Sequence, residues 1–252
     1  MSSEDISALW VTFKLATIVM IVLLLFCTPL AYMLAKGNMR GKRYIQAACN
    51  LPMVLPPTVL GFGLLFIMGP YSVVGSTWKS LTGFSLTFSF TGLVIGSLLY
   101  SLPFGILPMQ AAFEKIDDSL IEAGRALGFS NIQTFFYIVL PNSRGGIAAS
   151  AALIFAHTVG EFGVALMIGG SIPHQTRVIS IAIFEHTESI NYEAAAVLSL
   201  VLLVVSYISL VFIGKSSSSV LMGRNFAGNN NPKTMRLSYG TVQSTCVRIC
   251  DQ

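Results

Sequence analysis

Charged side chains are scarce in this sequence. Asp, Glu, Lys and Arg make up only 10% of its 252 residues, whereas a soluble globular domain carries about 25%. A chain of this length needs a polar surface whether it forms one domain or two. The mean hydropathy of +0.73 points instead to lipid as the main solvent. The composition therefore excludes a typical soluble globule.

Cysteine is also sparse, and a nucleotide-binding motif is missing. The four cysteines are scattered between an apolar run, a basic loop and a polar tail, so they predict no disulfide framework, redox chemistry or metal site. No G-x-x-x-x-G-K-[ST] phosphate loop is present. The net charge of +4 comes from clusters between apolar runs, without the interleaved aromatics expected of a nucleic-acid interface. We therefore expect no catalytic residue, no bound metal and no nucleic-acid partner.

Long windows without charge predict membrane-spanning helices. A helix needs about 20 apolar residues to cross the hydrocarbon. Five such segments predict an all-α, polytopic transmembrane bundle. The predicted spans are 8–35, 48–69, 90–111, 145–168 and 194–214. The first is of full span length and follows two acidic residues, so we interpret it as a retained helix and not as a cleavable signal peptide.

The basic residues predict the orientation of the bundle. All but three of the fifteen Lys and Arg residues follow the first, third or fifth span, and short cytoplasmic loops are enriched in such residues. The exceptions are Lys14, Lys79 and Arg177. We therefore expect the N-terminus outside, the C-terminus inside, and the connection 112–144 in the cytoplasm.

Two domains are expected from the change in composition near residue 216. Residues 1–215 would form the transmembrane domain, which includes the loop 112–144. Residues 216–252 are rich in Ser, Asn and Gly. They bury too little apolar area to fold, so we expect a disordered polar cytoplasmic tail.

The loop 112–144 predicts two short helices joined at a corner. Asp117, Asp118 and Ser119 supply N-capping oxygens for the first helix, and Gly128 stands where a left-handed C-terminal cap is needed. Ser130 and Gln133 form a capping box for the second helix, which Pro141 should end.

The first of these helices has two interpretations. Ala123 and Gly124 leave a patch nearly free of side chains beside Leu120, Ile121 and Leu127, which another protein could approach closely. Alternatively, the loop is a structural hairpin that packs beneath its own spans. The residues alone leave both open.

Two further segments carry polar chemistry inside predicted spans. Pro56 and Pro57, followed by Thr58, remove backbone donors and free carbonyls, which predicts either a broken helix along a water-accessible path or a kink satisfied by neighbours. His157 and Glu161 lie four residues apart, on one face of a helix. Such a pair is a functional candidate, although pairing with each other or across a subunit interface would also account for both residues.

The loop resembles the EAA signature of the membrane subunits of bacterial ABC importers. The resemblance rests on Glu122-Ala123-Gly124, Gly128, Ile138 and Leu140-Pro141, and only Gly124 departs from it, because the family usually has alanine there. It implies a type I importer permease whose coupling helix sits in a groove of a cytoplasmic ATPase. Glu122 to Leu127 would be the docking surface, Gly128 would set its angle, and the coupling residues would be Glu122, Ala123, Gly124, Leu127, Gly128, Ile138, Leu140 and Pro141.

A narrower resemblance concerns the membrane segments. Residues 51–65, Gly160-Glu161-Phe162-Gly163 and 169–176 look like the molybdate permease branch, whose cousins carry tungstate, sulfate or thiosulfate. At 170–176 the usual pattern has a glycine where this chain has His174. The translocation path or gate would then include Pro56, Pro57, Thr58, His157, Glu161, Phe162 and Gly163.

The resemblance also implies the partners. We expect a homodimer in the lipid of a bacterial or archaeal inner membrane, two ABC ATPase subunits that use ATP and Mg, and an extracytoplasmic oxyanion-binding protein. The chain itself would bind no cofactor and would not be an enzyme. The rivals are a gradient-driven secondary transporter or channel, with His157 and Glu161 relaying protons, and a membrane anchor that recruits a partner.

Overall fold

A computed structural model describes residues 2–225, which form α-helices and contain no β-strand. The predicted all-α fold is confirmed. Residues 226–252, which make up most of the expected polar tail, lie outside the described residues. The chain divides into a large unit that ends at Ser217 and a short one from Ser218 onward, and the packing of the bundle belongs to the large unit.

Twelve α-helices and one π-helical segment, π1, follow each other along the described part of the chain. In order, they are α1 Ser3–Lys36, α2 Lys42–Val54, α3 Pro57–Met68, α4 Val73–Thr82, α5 Phe90–Glu114, α6 Asp118–Ala126, α7 Asn131–Thr134, π1 Phe135–Val139, α8 Leu140–Asn142, α9 Arg144–Gly160, α10 Gly163–Gly169, α11 Ile179–Glu188 and α12 Tyr192–Asn225.

Within the described residues, three helices are long and apolar enough to cross a membrane by themselves: α1, α5 and the part of α12 from Tyr192 to Ser209. Two bent pairs bring the number to the predicted five, if each pair is one span. The axes of α2 and α3 differ by 111°, and the segment from α7 to α8 makes 73° with α9. The second span is therefore broken and not a straight helix.

One predicted boundary is wrong. The fourth span was expected to run over 145–168, but α9 ends at Gly160 and α10 is a separate helix. Glu161 and Phe162 interrupt it, since Glu161 is extended and Phe162 has φ −124° and ψ −61°. The polar tail from residue 216 stays a prediction, because most of it lies outside the described residues; α12 is described as far as Asn225.

The core of the bundle is the packing of α1, α5 and α9, the three-helix frame. Small residues bring these helices together, as is common between membrane helices. A Cβ atom at Gly105 of α5 would lie 2.9 Å from Sγ of Cys27 on α1. A Cβ atom at Gly146 of α9 would lie 3.0 Å from the carbonyl oxygen of Pro108 on α5. The backbones approach too closely at these points to admit larger side chains.

A buried ion-pair network fixes the start of α1 against α11. Nε of Arg177 donates to Oε2 of Glu185 at 2.7 Å, and Nε2 of His186 lies 2.9 Å from Oδ1 of Asp5. Nη1 of Arg177 lies 3.5 Å from the same Asp5 oxygen, which makes an ion pair without a hydrogen bond. Since Asp5 and Arg177 are both buried, each stabilises the other's charge.

We expect Gly146→Val to lower the free energy of unfolding by about 2 kcal/mol, because the added side chain would force α5 and α9 apart. Gly63→Val on α3 is the matched control, since nothing lies within 4 Å of a Cβ atom there. Thermal unfolding of the purified protein compares the two. Equal destabilisation by both variants would contradict this account of the frame.

Candidate functional site

The elbow, which we define as residues 117–142, contains the corner that the sequence predicts. Asp117 caps α6, because its side chain accepts a hydrogen bond from the Ser119 N–H at 3.0 Å. This backbone hydrogen bond, with a further one from the Ser119 side chain, lowers the pKa of Asp117. Gly128 has φ +85°, and the Phe129 N–H donates to the Gly124 carbonyl at 3.1 Å, which closes the end of α6. The left-handed glycine cap is therefore present.

The second arm of the elbow begins as predicted and continues differently. Both hydrogen bonds of the Ser130–Gln133 capping box are present. Pro141, however, does not end the helix, because it lies within α8, which follows π1 and ends at Asn142. A proline in the first turn of a helix removes no intrahelical hydrogen bond. The π-helical turns end just before Pro141, so that this proline lies in the first turn of a new helix. The turn before α9 lies at Ser143 instead.

The residues that α6 exposes are not all those of the expected docking patch. Glu122, Ala123 and Leu127 are exposed, whereas Ile121 and Gly124 are buried against the chain itself. A Cβ atom at Gly124 would collide with Cδ1 of Ile138. The expectation that Gly124 belongs to the exposed patch is therefore wrong. This glycine lets α6 pack closely on π1.

The elbow exposes more apolar surface than the sequence indicated. The exposed large apolar side chains of the elbow are Leu120, Leu127, Phe129, Ile132, Phe136 and Tyr137. From the sequence, only the two leucines are expected at this surface. The four-residue spacing of Ile132 and Phe136 places both side chains on one helical face. This pattern is equally compatible with an exposed apolar face and with a helix packed beneath its own spans. Ile138, Leu140 and Pro141 are only partly buried, behind this surface.

Lys36, whose role is not predicted from the sequence, joins α1 to the elbow. Its Nζ donates to the Ile116 carbonyl and to Oδ1 of Asp118, both at 2.7 Å. Lys36 and Asp118 both line an open cleft of about 640 Å³ between the end of α1 and α6, as do Glu122 and Arg125. Lys36 thus links the last turn of α1 to the start of α6 across a gap that apolar packing does not fill.

The two interruptions of the membrane helices meet each other. α2 ends at Val54, Pro56 is extended, and Pro57 is the first residue of α3, where its missing N–H costs no hydrogen bond. A Cβ atom at Gly163, the first residue of α10, would lie 2.8 Å from Cβ of Pro57. The structure therefore brings together two candidate path segments that are distant in sequence.

The other path candidates near this contact have different surroundings. Pro56 and Thr58 are exposed in the single subunit. Phe162 is half-buried, and its ring lies 5.1 Å from that of Phe184 on α11. Thr58 is thus available to a water-filled path or a second subunit, whereas Phe162 packs inward.

His157 and Glu161 do not form the predicted pair. Because α9 ends at Gly160, Glu161 leaves the helical face on which His157 lies. Nδ1 of His157 is hydrogen-bonded to the Ser101 hydroxyl at 2.9 Å, and the imidazole stacks on Phe104 with ring centres 4.1 Å apart. Neither carboxylate oxygen of Glu161 has a hydrogen-bond partner. Mutual pairing within the subunit is therefore wrong as an explanation of these two residues.

Comparison with known proteins identifies the family. Residues 27–219 match the model of the binding-protein-dependent transport system inner membrane component family. The molybdenum transport system permease protein ModB of Azotobacter vinelandii is 46% identical over 195 residues, which cover 77% of this chain and 86% of that protein. The probable sulfate transport system permease protein cysT of Chlorella vulgaris is 29% identical over 82% of this chain and 78% of its own length.

A solved structure has a similar fold. In the crystal structure of a bacterial alginate ABC transporter in complex with a periplasmic protein bound to an alginate pentasaccharide, one chain superposes with a TM-score of 0.69 at 17% identity. The match covers 91% of this chain and 81% of that one.

The chain belongs to the family of binding-protein-dependent transport system inner membrane components. It is accordingly a multi-pass inner membrane protein, a permease subunit of an ABC importer and not an enzyme.

Gly128→Val tests the corner of the elbow. Valine in the left-handed region costs about 1–2 kcal/mol, so we expect the corner to shift and uptake per ATP hydrolysed to fall about tenfold in proteoliposomes. Gly128→Asn is the control, because asparagine tolerates this backbone conformation, and nothing lies within 4 Å of a Cβ atom there. A Val variant as well coupled as the Asn variant would show that the corner does not matter.

Proposed function

We propose that this chain is the permease subunit of an ATP-driven importer of molybdate. Two copies would form the membrane path, two ATPase subunits would bind the elbows in the cytoplasm, and an extracytoplasmic binding protein would deliver the anion. The identity of 46% to a molybdenum permease over 86% of its length supports molybdate. The sulfate permease relative is more distant, at 29% identity.

The exposed apolar surface of the elbow carries the proposal. Leu127 has 78% of its surface exposed and caps the C-terminal end of α6, which also exposes Glu122 and Ala123 and whose opposite face is buried. A patch of this kind on an ordered, non-membrane segment indicates a protein-binding site. Ala123 lets a partner approach the backbone closely, as the family resemblance also implies.

The elbow is attached to the frame so that its movement would reach the membrane helices. It follows directly after α5 and leads directly into α9, and Lys36 joins it to the end of α1. When a force acts on closely packed helices, they move as a rigid body more readily than they bend. We infer that closure of the ATPase pair displaces the elbow and the frame together.

The contact of Pro57 with Gly163 is where such a movement would act on the path. α3 and α10 both start there, and a doubly charged oxyanion requires a wet or polar route, because its desolvation is very costly. The exposed Thr58 hydroxyl and the backbone groups freed at the breaks supply polar atoms without a fixed positive charge. We infer a hydrated passage of low affinity between two copies, with selection left to the binding protein.

Leu127→Glu tests where the ATPase binds. A charge placed in an apolar contact without a partner is strongly unfavourable, so we expect co-purification of the ATPase to fall by at least about tenfold. Leu81→Glu on α4 is the matched control, because Leu81 is equally exposed, at 80%, and lies far from the elbow in sequence. Unchanged ATPase recovery with Leu127→Glu would contradict the docking site.

Uptake of labelled molybdate tests the substrate. In proteoliposomes that contain the permease, its ATPase and its binding protein, we expect uptake that requires ATP and the binding protein. Excess unlabelled molybdate should abolish this uptake, and excess sulfate should leave most of it. Equal inhibition by sulfate would favour a sulfate permease, and uptake without ATPase subunits would favour a secondary transporter.

A further inference from the structure

Glu161 is a buried carboxyl group whose surroundings within the subunit leave it without a partner. It has 4% of its surface exposed and lies at the break between α9 and α10. Its main-chain oxygen accepts a hydrogen bond from the Ser180 hydroxyl, but neither side-chain oxygen has a hydrogen-bond partner. Removing a bare carboxylate from water costs far more than a fold of this kind can offset. Something must therefore neutralise it.

A polar seam between α5 and α9 leads to this carboxyl. The Ser150 hydroxyl donates to the Gly105 carbonyl at 2.9 Å, and one turn further the Ser101 hydroxyl is bonded to Thr158 Oγ1 at 3.1 Å. The next α5 residue in this series is Ser97, which is fully buried and lies beside the Glu161 carboxyl. The Ser97 hydroxyl also has no hydrogen-bond partner. The seam thus ends in two buried polar groups without a hydrogen-bond partner.

No basic side chain of the described residues neutralises Glu161. Nζ of Lys14, on α1, lies 4.6 Å from the ring centre of Phe90, and Arg177 pairs with Asp5 and Glu185. His157, on α9, directs Nδ1 to Ser101.

The ionisable groups of the elements packed around the break are few. α3 and α10 contain no Asp, Glu, His, Lys, Arg, Tyr or Cys. On α5, Tyr100 is the nearest ionisable group, and on α11, Glu185 and His186 belong to the network with Arg177 and Asp5. None of these groups supplies a positive charge to the carboxylate.

A metal cation is a poor fit to this place. Such an ion needs a shell of several oxygen ligands. The hydroxyls of Ser101 and Thr158 are already bonded to each other, and Ser101 is also bonded to His157, so only Ser97 and the carboxyl itself remain uncommitted. A proton needs only one acceptor and no additional space.

We propose that Glu161 is a proton-binding site, and that in this conformation it is a neutral carboxylic acid next to the Ser97 hydroxyl. One O–H bond forms when the proton binds and breaks when it leaves for water, so no further reactant is required. Because the group lies at the break between α9 and α10, opening of the break would admit water and allow the proton to leave. The proton then favours the closed break, and ionisation favours the open one.

Infrared difference spectroscopy of the complete transporter in lipid tests this site directly. We expect a C=O stretching band of a protonated carboxylic acid at neutral pH, which shifts in deuterated water and disappears in Glu161→Gln. Glu114→Gln is the matched control, since Glu114 is exposed, and it should leave the band unchanged. Ser97→Ala should shift the band without removing it, which keeps the test decisive if Glu161→Gln does not assemble.

A second measurement follows the consequence for transport. Because ionisation favours the open break, a rise in pH should oppose the return to the closed break, and ATP-driven uptake should fall. The decrease should be no more than about tenfold per pH unit, the limit for one proton. Glu161→Gln, which has the shape of the neutral acid, should remove this alkaline decrease. Absence of the band, its persistence in Glu161→Gln, or stability of the transporter that depends on sodium instead of pH would overturn the proposal. The infrared result does not depend on which anion is carried, so it can fail or succeed independently of the proposed function.

Discussion

The close packing of α1, α5 and α9 is the constraint on which the rest of the structure depends. Glycines at 105 and 146 bring the backbones of these helices together, and no larger residue fits between them. Lipid offers neither a hydrophobic drive for helices to associate nor water for free backbone groups, so such contacts decide which helices stay together. The frame that results reaches from the elbow at one end of α5 and α9 to the break at Glu161 near the other.

Under the proposed function, transport chemistry and mechanical coupling would occupy different parts of this frame. The elbow has a buried face that fixes it and an exposed apolar face that is free to bind a partner. The breaks at Pro57 and Gly163 lie where helices can change direction without breaking additional hydrogen bonds. The same helices would thus carry both the proposed attachment point of the ATPase and the proposed gate, which is the arrangement that transport driven by ATPase closure requires.

The sequence could predict those features that depend on local backbone chemistry. The break at Pro56 and Pro57, the left-handed Gly128 and the Ser130–Gln133 capping box all follow from residues within one turn of each other. The resemblance also places a glycine where this chain has His174, and the backbone there is left-handed, with φ +62°. Local preference and observed conformation agree at the first three positions, whereas His174 adopts a backbone conformation that glycine adopts more readily.

Features that depend on tertiary contacts could not be predicted. The inward position of Gly124 depends on Ile138, and the role of Lys36 depends on atoms of residues 116 and 118, more than 70 residues away in sequence. The departure of Glu161 from the helix depends on packing around Phe162 and Ser180, which a four-residue spacing does not reveal. The π segment before Pro141 likewise allows a helical turn to follow and to contain the proline. Residue preferences do not specify such a segment.

Labelling of one introduced thiol tests the central claim that the elbow is the cytoplasmic attachment point of the ATPase. Leu127→Cys, with serine in place of Cys246 and Cys250, leaves Cys27 and Cys49, which are buried. A membrane-impermeant thiol reagent should not label this variant in intact cells. It should label it in inside-out vesicles stripped of ATPase, and rebinding of the ATPase should block the reaction. Labelling in intact cells, or labelling that the ATPase does not block, would contradict the account.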